Sequence, residues 1–330
     1  MSVTPTSKSK SAVRTWGLRI GGTALFVALL VWLDLRGDLK FDDIFATLGK
    51  ANIFLVALSI LLYMAFVTVK AARWRLVSRD MGMPMTWGQA WRIYAIGLAA
   101  GTFTPGQAGD ALKAWYLQRM GYGLGRGLGS SLLDRLFDVA ALALLGLLGV
   151  AVYGGKFAGQ TPALIGLTLL CLAVVAFFAY NRTRQWAVNL VMRRLARTRD
   201  QGSGNAEQSK AWSLRRETLL SVSLLTIASF AISIFRVWLL AAALGVALGP
   251  LEVSGYVGLT TAAALVPVSV GGIGTRDVVS ALALQQLGFA PQVGVALSLL
   301  ILLLNFSQAV AGWIVWLMTG SMKPDAEPQK

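Results

Sequence analysis

The chain has 330 residues, of which 56% are hydrophobic and 14% charged, against roughly 25% charged residues in ordinary soluble domains. That deficit excludes a soluble globular protein and is expected to leave no room for a separate soluble domain within the sequence. The formal charge of +15 fits basic loops that orient a membrane protein, so no nucleic-acid partner is expected. With no histidine and a single cysteine, Cys171, disulfides within the chain, thiol or imidazole metal sites and His-based catalysis are excluded. No catalytic residue, metal ligand or cofactor is assigned, and the chain is not expected to be an enzyme.

A spanning helix needs about 20 largely apolar residues. In chain order the candidates are 18–33, preceded by Lys8, Lys10, Arg14 and Arg19; 51–69, between Lys50 and Lys70; and 93–109, interrupted by Gly97, Gly101, Pro105, Gly106 and Gly109. They continue with 132–153, opened by Asp134, Arg135 and Asp138; 162–180; 219–246, with Arg236 inside it; 253–274, broken by Pro267, Gly271, Gly272 and Gly274; and 293–319. The first follows a signal-like basic stretch without a small-residue cleavage site, so it reads as an uncleaved span.

Charge sets the topology. Residues 181–217 hold nine basic residues against three acidic ones, and 70–79 are also basic, which places both in the cytoplasm; 34–50, with four Asp against three basic residues, suits the outside. A full crossing by 93–109 contradicts these assignments. They agree if 91–119 enters and returns on one side. A second re-entrant hairpin at 253–287, turning at 267–274, leaves the C-terminal tail cytoplasmic, which fits Lys323 but is opposed by Asp325 and Glu327. The expected fold is an all-α polytopic membrane protein with about eight hydrophobic segments: six full spans and two re-entrant hairpins broken by Pro and Gly. The units 51–153 and 219–319 each read span, broken hairpin, span, from opposite sides, which is the pattern of an inverted repeat. The domain layout is a cytoplasmic tail 1–17, one transmembrane domain 18–319 with the basic loop 181–217, and a cytoplasmic tail 320–330.

Two constellations carry candidate chemistry. At residues 104–113 a helix restarting near Gly109 and Asp110 presents backbone N–H groups, with Lys113 one turn on, a combination suited to phosphate; the alternative is an ordinary solvated loop. At 267–277 a Gly-rich break containing Gly272 and Gly274 precedes Arg276 and Asp277, and Arg276 offers a planar fork for phosphate oxygens; the alternative is a structural turn. Arg236 lies deep in its span and requires a partner or a wet cavity, unless it snorkels to an interface. Asp134 and Asp138 share a helix face beside Arg135. They are suited to carrying a coupling proton, to balancing Arg236 or Lys113, or to capping the helix.

The run Thr104-Pro105-Gly106-Gln107-Ala108-Gly109-Asp110, followed by Ala114-Trp115-Tyr116-Leu117, resembles the first motif of the lysylphosphatidylglycerol synthase transmembrane region. Ser131-Leu132-Leu133-Asp134-Arg135-Leu136-Phe137-Asp138 and 267–277 resemble its later blocks, so the likeness covers roughly residues 50–319. It implies a flippase-like domain and carries over Gly109, Asp110, Asp134, Arg135, Asp138, Gly272, Gly274 and Arg276. Gln107 departs from the pattern, which often has a basic residue there. The aminoacyl-transfer domain of the large synthases has no counterpart here.

The expectation is a translocase or transporter of an anionic phospholipid or isoprenoid (polyprenyl-phosphate-type) lipid in a bacterial inner membrane, with both termini cytoplasmic. Lys113, Arg236, Arg276 and the backbone near Gly109, Gly272 and Gly274 would hold the headgroup, and Asp110, Asp134, Arg135, Asp138 and Asp277 would form a charge network. The competing readings are a non-transporting accessory protein of envelope lipid or glycan synthesis, and a lipid-linked glycosyltransferase.

Overall fold

The computed structural model describes residues 41–103, 109–153, 215–265 and 274–319. The predicted spans 18–33 and 162–180, both tails, most of the basic loop and the two Pro/Gly breaks lie outside the described residues. Those described are helical, without a strand: α1 (Phe41–Gly49), α2 (Ile53–Leu61), α3 (Tyr63–Asp80), α4 (Trp87–Phe103), α5 (Gly109–Arg119), α6 (Leu124–Tyr153), α7 (Arg216–Ala243), α8 (Pro250–Leu265), α9 (Thr275–Gln285) and α10 (Pro291–Thr319).

Helices α2 and α3 run on through Leu62 as one rod of 28 residues, and α6, α7 and α10 have 30, 28 and 29. At 1.5 Å per residue each is about 42–45 Å long, beyond the roughly 30 Å of a hydrocarbon core. All four are apolar enough to cross a membrane. Their polarity is inverted relative to a soluble bundle. On α7, Leu220, Leu224 and Ile227 share an outward stripe at 67% exposure each, while Thr226, Ser229 and Arg236 are buried on the opposite face. An apolar face turned outward with polar groups inside is stable only in a lipid environment.

Both broken segments double back. Tyr122, just after α5, donates its hydroxyl to the carbonyl of Pro84, just before α4, so this pair begins and ends at one end of the bundle. That end also joins α3 to α7, where the Arg215 N–H donates to Asp80 Oδ2 at 3.1 Å. At the other end the Asn52 N–H donates to the Ala243 carbonyl at 2.8 Å, and the Tyr153 hydroxyl donates to the Glu252 carbonyl at 2.8 Å. Val246, Leu248 and Val253 before and in α8 share a buried cluster with Leu284, against which Leu287 and Phe289 pack.

The two halves match in their helix pairings and at several crossings. α4 packs on α10, α8 packs on α6, and the first long helix of each half packs on the other's. A methyl at Gly127 would stand 3.0 Å from the Ala114 Cα, and one at Gly294 would stand 2.5 Å from the Ala281 Cα. These α5–α6 and α9–α10 crossings are one contact repeated 167 residues later (294 − 127, 281 − 114). Between the halves, a methyl at Gly258 would stand 2.1 Å from the Leu145 carbonyl oxygen, and one at Gly312 would stand 2.5 Å from that of Ala95. Gly258 corresponds to Ala95 and Gly312 to Leu145, so the crossing recurs with glycine on the opposite partner.

Three boundaries differ from the sequence reading. The helix ending the first long rod does not stop at Val69 but continues to Asp80, so Lys70 and Arg73 are interior residues, 5% and 0% exposed, rather than loop residues. α6 begins eight residues before the predicted 132, which moves Asp134 and Asp138 from the mouth of the helix to its interior. Within the predicted outer loop 34–50, α1 forms because Ile44 inserts beside Val295 and Ala296 of α10. Asp42 and Asp43 in its first turn oppose the helix dipole favourably.

Candidate functional site

A buried charge cluster sits where α3, α4, α5, α6 and α7 meet. Arg73 is its hub. Its Nε and Nη2 lie 2.8 and 2.7 Å from Asp134 Oδ1. Its Nη1 donates to Asp138 Oδ1 at 2.7 Å and to Thr226 Oγ1 at 3.1 Å. Asp134, 1% exposed, also accepts from the Tyr94 hydroxyl at 3.1 Å and from Lys113 Nζ at 3.4 Å. Asp138 pairs with Lys70 as well. Lys113 Nζ lies 4.4 Å from the centre of the Tyr94 ring and 5.4 Å from that of Trp74, where the ring faces favour a cation.

Three cations and two carboxylates leave this cluster formally +1 if all are ionised. Charges at such depth persist only when paired and hydrogen-bonded, and the pairing here is extensive. The i, i+4 spacing of Asp134 and Asp138 on α6 aims both at one guanidinium. Of the balancing roles open to this pair, Lys113 is a partner of Asp134 and Arg236 is not. Capping is excluded by their position inside α6.

Of the predicted glycine positions, Gly109 acts in packing and Gly274 in starting a helix. A methyl on Gly109 would stand 1.8 Å from the Gly97 carbonyl oxygen, so Gly109 is what lets α4 and α5 touch. Gly97 in turn leaves room for the Lys113 stem, whose Cγ would be 2.7 Å from an added methyl. Gly274, at φ 106°, starts α9. Its N–H donates to Asp277 Oδ2 at 2.8 Å, so that group is already engaged and not open to a phosphate.

Asp277 also accepts from the Ser298 hydroxyl, which itself takes a bond from Arg276 Nε at 2.8 Å. Arg276 is 4% exposed. Its Nη2 is 3.5 Å from Asp277 Oδ1 and makes no hydrogen bond among the described residues. Arg135 is half-buried on α6 and engaged with its surroundings. Asp110 contributes its backbone to α5, and Gly272 lies outside the described residues.

Arg236 is 2% exposed. Its Nε donates to the Ser59 carbonyl at 2.9 Å, and the Ser59 hydroxyl returns a 3.0 Å bond to the Arg236 carbonyl. With the Gln308 amide turned so that its oxygen faces the guanidinium, that oxygen accepts from Nη1 and Nη2, each at 3.2 Å. The Tyr63 and Phe66 rings lie 5.8 and 5.7 Å away.

Lys113, Asp134 and Asp138 therefore come together, and Arg276 and Asp277 come together, but Arg236 and Arg276 do not converge. Their contacts on α10, Gln308 and Ser298, are ten residues apart, about 15 Å of helical rise. Lys70 and Arg73 were missed because they follow the apolar run. Helical spacing was the available signal: Val67, Lys70, Trp74 and Val77 fall on one buried stripe with Arg73.

The family described as Lysylphosphatidylglycerol synthase TM region matches residues 19–312, so this chain belongs to that family and is a multi-pass membrane protein. No curated protein matches the chain.

Proposed function

We propose that this member of the family is a lipid translocase that moves an anionic phospholipid or polyprenyl-phosphate-type lipid across a bacterial inner membrane. The observation that carries the reading is the cation excess buried among spanning helices: Lys70, Arg73 and Lys113 against Asp134 and Asp138. A cluster of charges at that depth is costly in a purely structural scaffold and is the ordinary mark of a substrate path. Arg236 and Arg276 add two more buried guanidinium groups suited to phosphate oxygens.

In the proposed topology the chain makes six full spans, and the α4–α5 and α8–α9 pairs are re-entrant. The end bearing Asp80 and Arg215 faces the cytoplasm, and so do both termini. Rocking of the two matched halves about their shared crossings would open the site to each side in turn. The test is reconstitution of the full chain in liposomes with fluorescent phosphatidylglycerol, phosphatidylcholine and a polyprenyl phosphate. The expected result is faster translocation of the anionic lipids than in protein-free liposomes; equal rates for all three defeat the reading.

A further inference from the structure

The repeat places Arg236 where the first half has Arg73: both stand 20 residues into their long helix and 163 residues apart (236 − 73). The partners correspond too. Arg73 bonds Thr226, and Arg236 faces Tyr63, 163 residues earlier (226 − 63). The carboxylates do not correspond. At the α10 positions matching Asp134 and Asp138 the chain has Ile301 and Asn305, and Arg236 meets the neutral amide of Gln308 instead. Among the described residues no carboxylate pairs with Arg236.

Tyr63 adds an independent sign. It is 4% exposed, and its hydroxyl has no hydrogen-bond partner among the described residues. A guanidinium has five N–H donors; one goes to Ser59 and two reach Gln308, which leaves two, with the centre of the Tyr63 ring 5.8 Å from the guanidinium carbon. Donors and one positive charge are buried together here, and among the described residues the acceptor that Arg236 meets is a neutral amide. Gln308 is half-buried and marks the open side.

We infer that Arg236, Tyr63 and Gln308 form a seat for one singly charged phosphate ester, the phosphodiester of a phospholipid being the natural occupant inside a membrane. The seat is the charge-open counterpart of the Arg73 cluster, in which Asp134 and Asp138 already supply the anion. Because the helices are antiparallel, Arg73 and Arg236 each lie seven residues from opposite ends of the bundle, about 10 Å of rise. Phe66 reaches both regions, its ring centre 5.4 Å from Lys70 Nζ and 5.7 Å from the Arg236 guanidinium. One half thus pairs its buried arginine with carboxylates near one end of the bundle, and the other pairs its own with a neutral amide near the opposite end.

This inference rests on the translocase reading and is tested separately from it. Phosphatidylglycerol binding to the purified full chain is measured by native mass spectrometry, for the parent and for Gln308→Glu, Arg236→Gln and Tyr63→Phe, with melting temperature alongside. Gln308→Glu supplies the missing carboxylate. The expected result is binding weakened at least about tenfold, the loss of one charge-assisted contact, with the melting temperature unchanged or raised. Arg236→Gln weakens binding to a similar degree, and Tyr63→Phe weakens it less while leaving the fold intact. Inorganic phosphate displacing the lipid identifies a seat open to free anions; no displacement identifies a lipid site. Parent-like lipid binding by Gln308→Glu and Tyr63→Phe overturns the seat while the translocase reading stands. A parent chain that neither binds nor moves any anionic lipid overturns both.

Discussion

Replacing Asp134 with Asn removes a charge and keeps the shape, which makes it the sharpest probe of the buried cluster. Asp134 accepts from Arg73, Tyr94 and Lys113 and is 1% exposed. The substitution leaves three cations facing Asp138 alone. Breaking a buried pair by removing one partner costs about 3–5 kcal/mol. At about 2.1 cal/mol/K per residue, a 330-residue chain has an unfolding entropy near 0.7 kcal/mol/K, so the loss corresponds to roughly 4–7 °C. The assay is thermal unfolding of the full chain in one detergent, followed by tryptophan fluorescence. Asp138→Asn serves as the graded comparison: the Asp138 side chain is 16% exposed, so the surroundings screen part of the loss and the drop is smaller. If Asp134→Asn melts within about 1 °C of the parent, the range of an ordinary surface substitution, the cluster does not compensate buried charge as argued.

Further expectations follow from the crossings and the ends of the bundle. Gly258→Ala forces a methyl to 2.1 Å from the Leu145 carbonyl oxygen and should destabilise by about 1–3 kcal/mol or more, whereas Gly88→Ala, with nothing nearer than 3.9 Å, should melt like the parent. Tyr94→Phe removes one donor to Asp134 and should cost about 1–2 kcal/mol by the same melting assay; no change would mean the hydroxyl is immaterial. In a Cys171→Ser background, Arg79→Cys and Gly123→Cys, which flank the α4–α5 pair, should react with a membrane-impermeant thiol reagent from one side, and Ala247→Cys and Gln285→Cys from the other. Labelling of Arg79→Cys and Gly123→Cys from opposite sides would mean that α4–α5 crosses fully.

The two broken segments are legible in the sequence because Pro and Gly interrupt long apolar runs, and at the first of them the basic segment 181–217 argues against an odd number of crossings. Asp134 and Asp138 were legible because acids four apart in a span are conspicuous. Lys70 and Arg73 were not, since a reading by hydropathy ends the helix at its first charge. The helix in fact goes on because Trp74 and Val77 keep the buried stripe alive for two more turns. In the sequence Gly109 suggests backbone exposed for a ligand. Its use is close approach of two helices, as at Gly258, a property of the partner's position that no single segment carries. The correspondence of Arg73 with Arg236 needs both helix starts, and neither coincides with the start of an apolar run: Ile53 lies two residues inside 51–69 and Arg216 three residues before 219–246.

The corrected length of α3 also changes what fixes the orientation. Lys70 and Arg73 were counted toward a basic cytoplasmic loop, yet both are consumed by carboxylates inside the bundle and carry no weight in the positive-inside rule. Of the remaining pair, Arg75 gives its Nε to the Met85 carbonyl at 3.0 Å, while Arg79 is offset by the adjacent Asp80. The orientation proposed above therefore rests on the loop ending at Arg215, whose N–H is bound to Asp80. That contact places Arg215, near the end of the segment 181–217 with its nine basic residues, at the end of the bundle where α3 stops. The cytoplasmic proposal then depends on this longer basic segment rather than on the short one. Neutralising Arg193, Arg194, Arg197 and Arg199 together should weaken the orientation far more than neutralising Arg75 and Arg79, measured as the fraction of Gly123→Cys that a membrane-impermeant reagent reaches from outside. Equal effects would return the weight to the short loop.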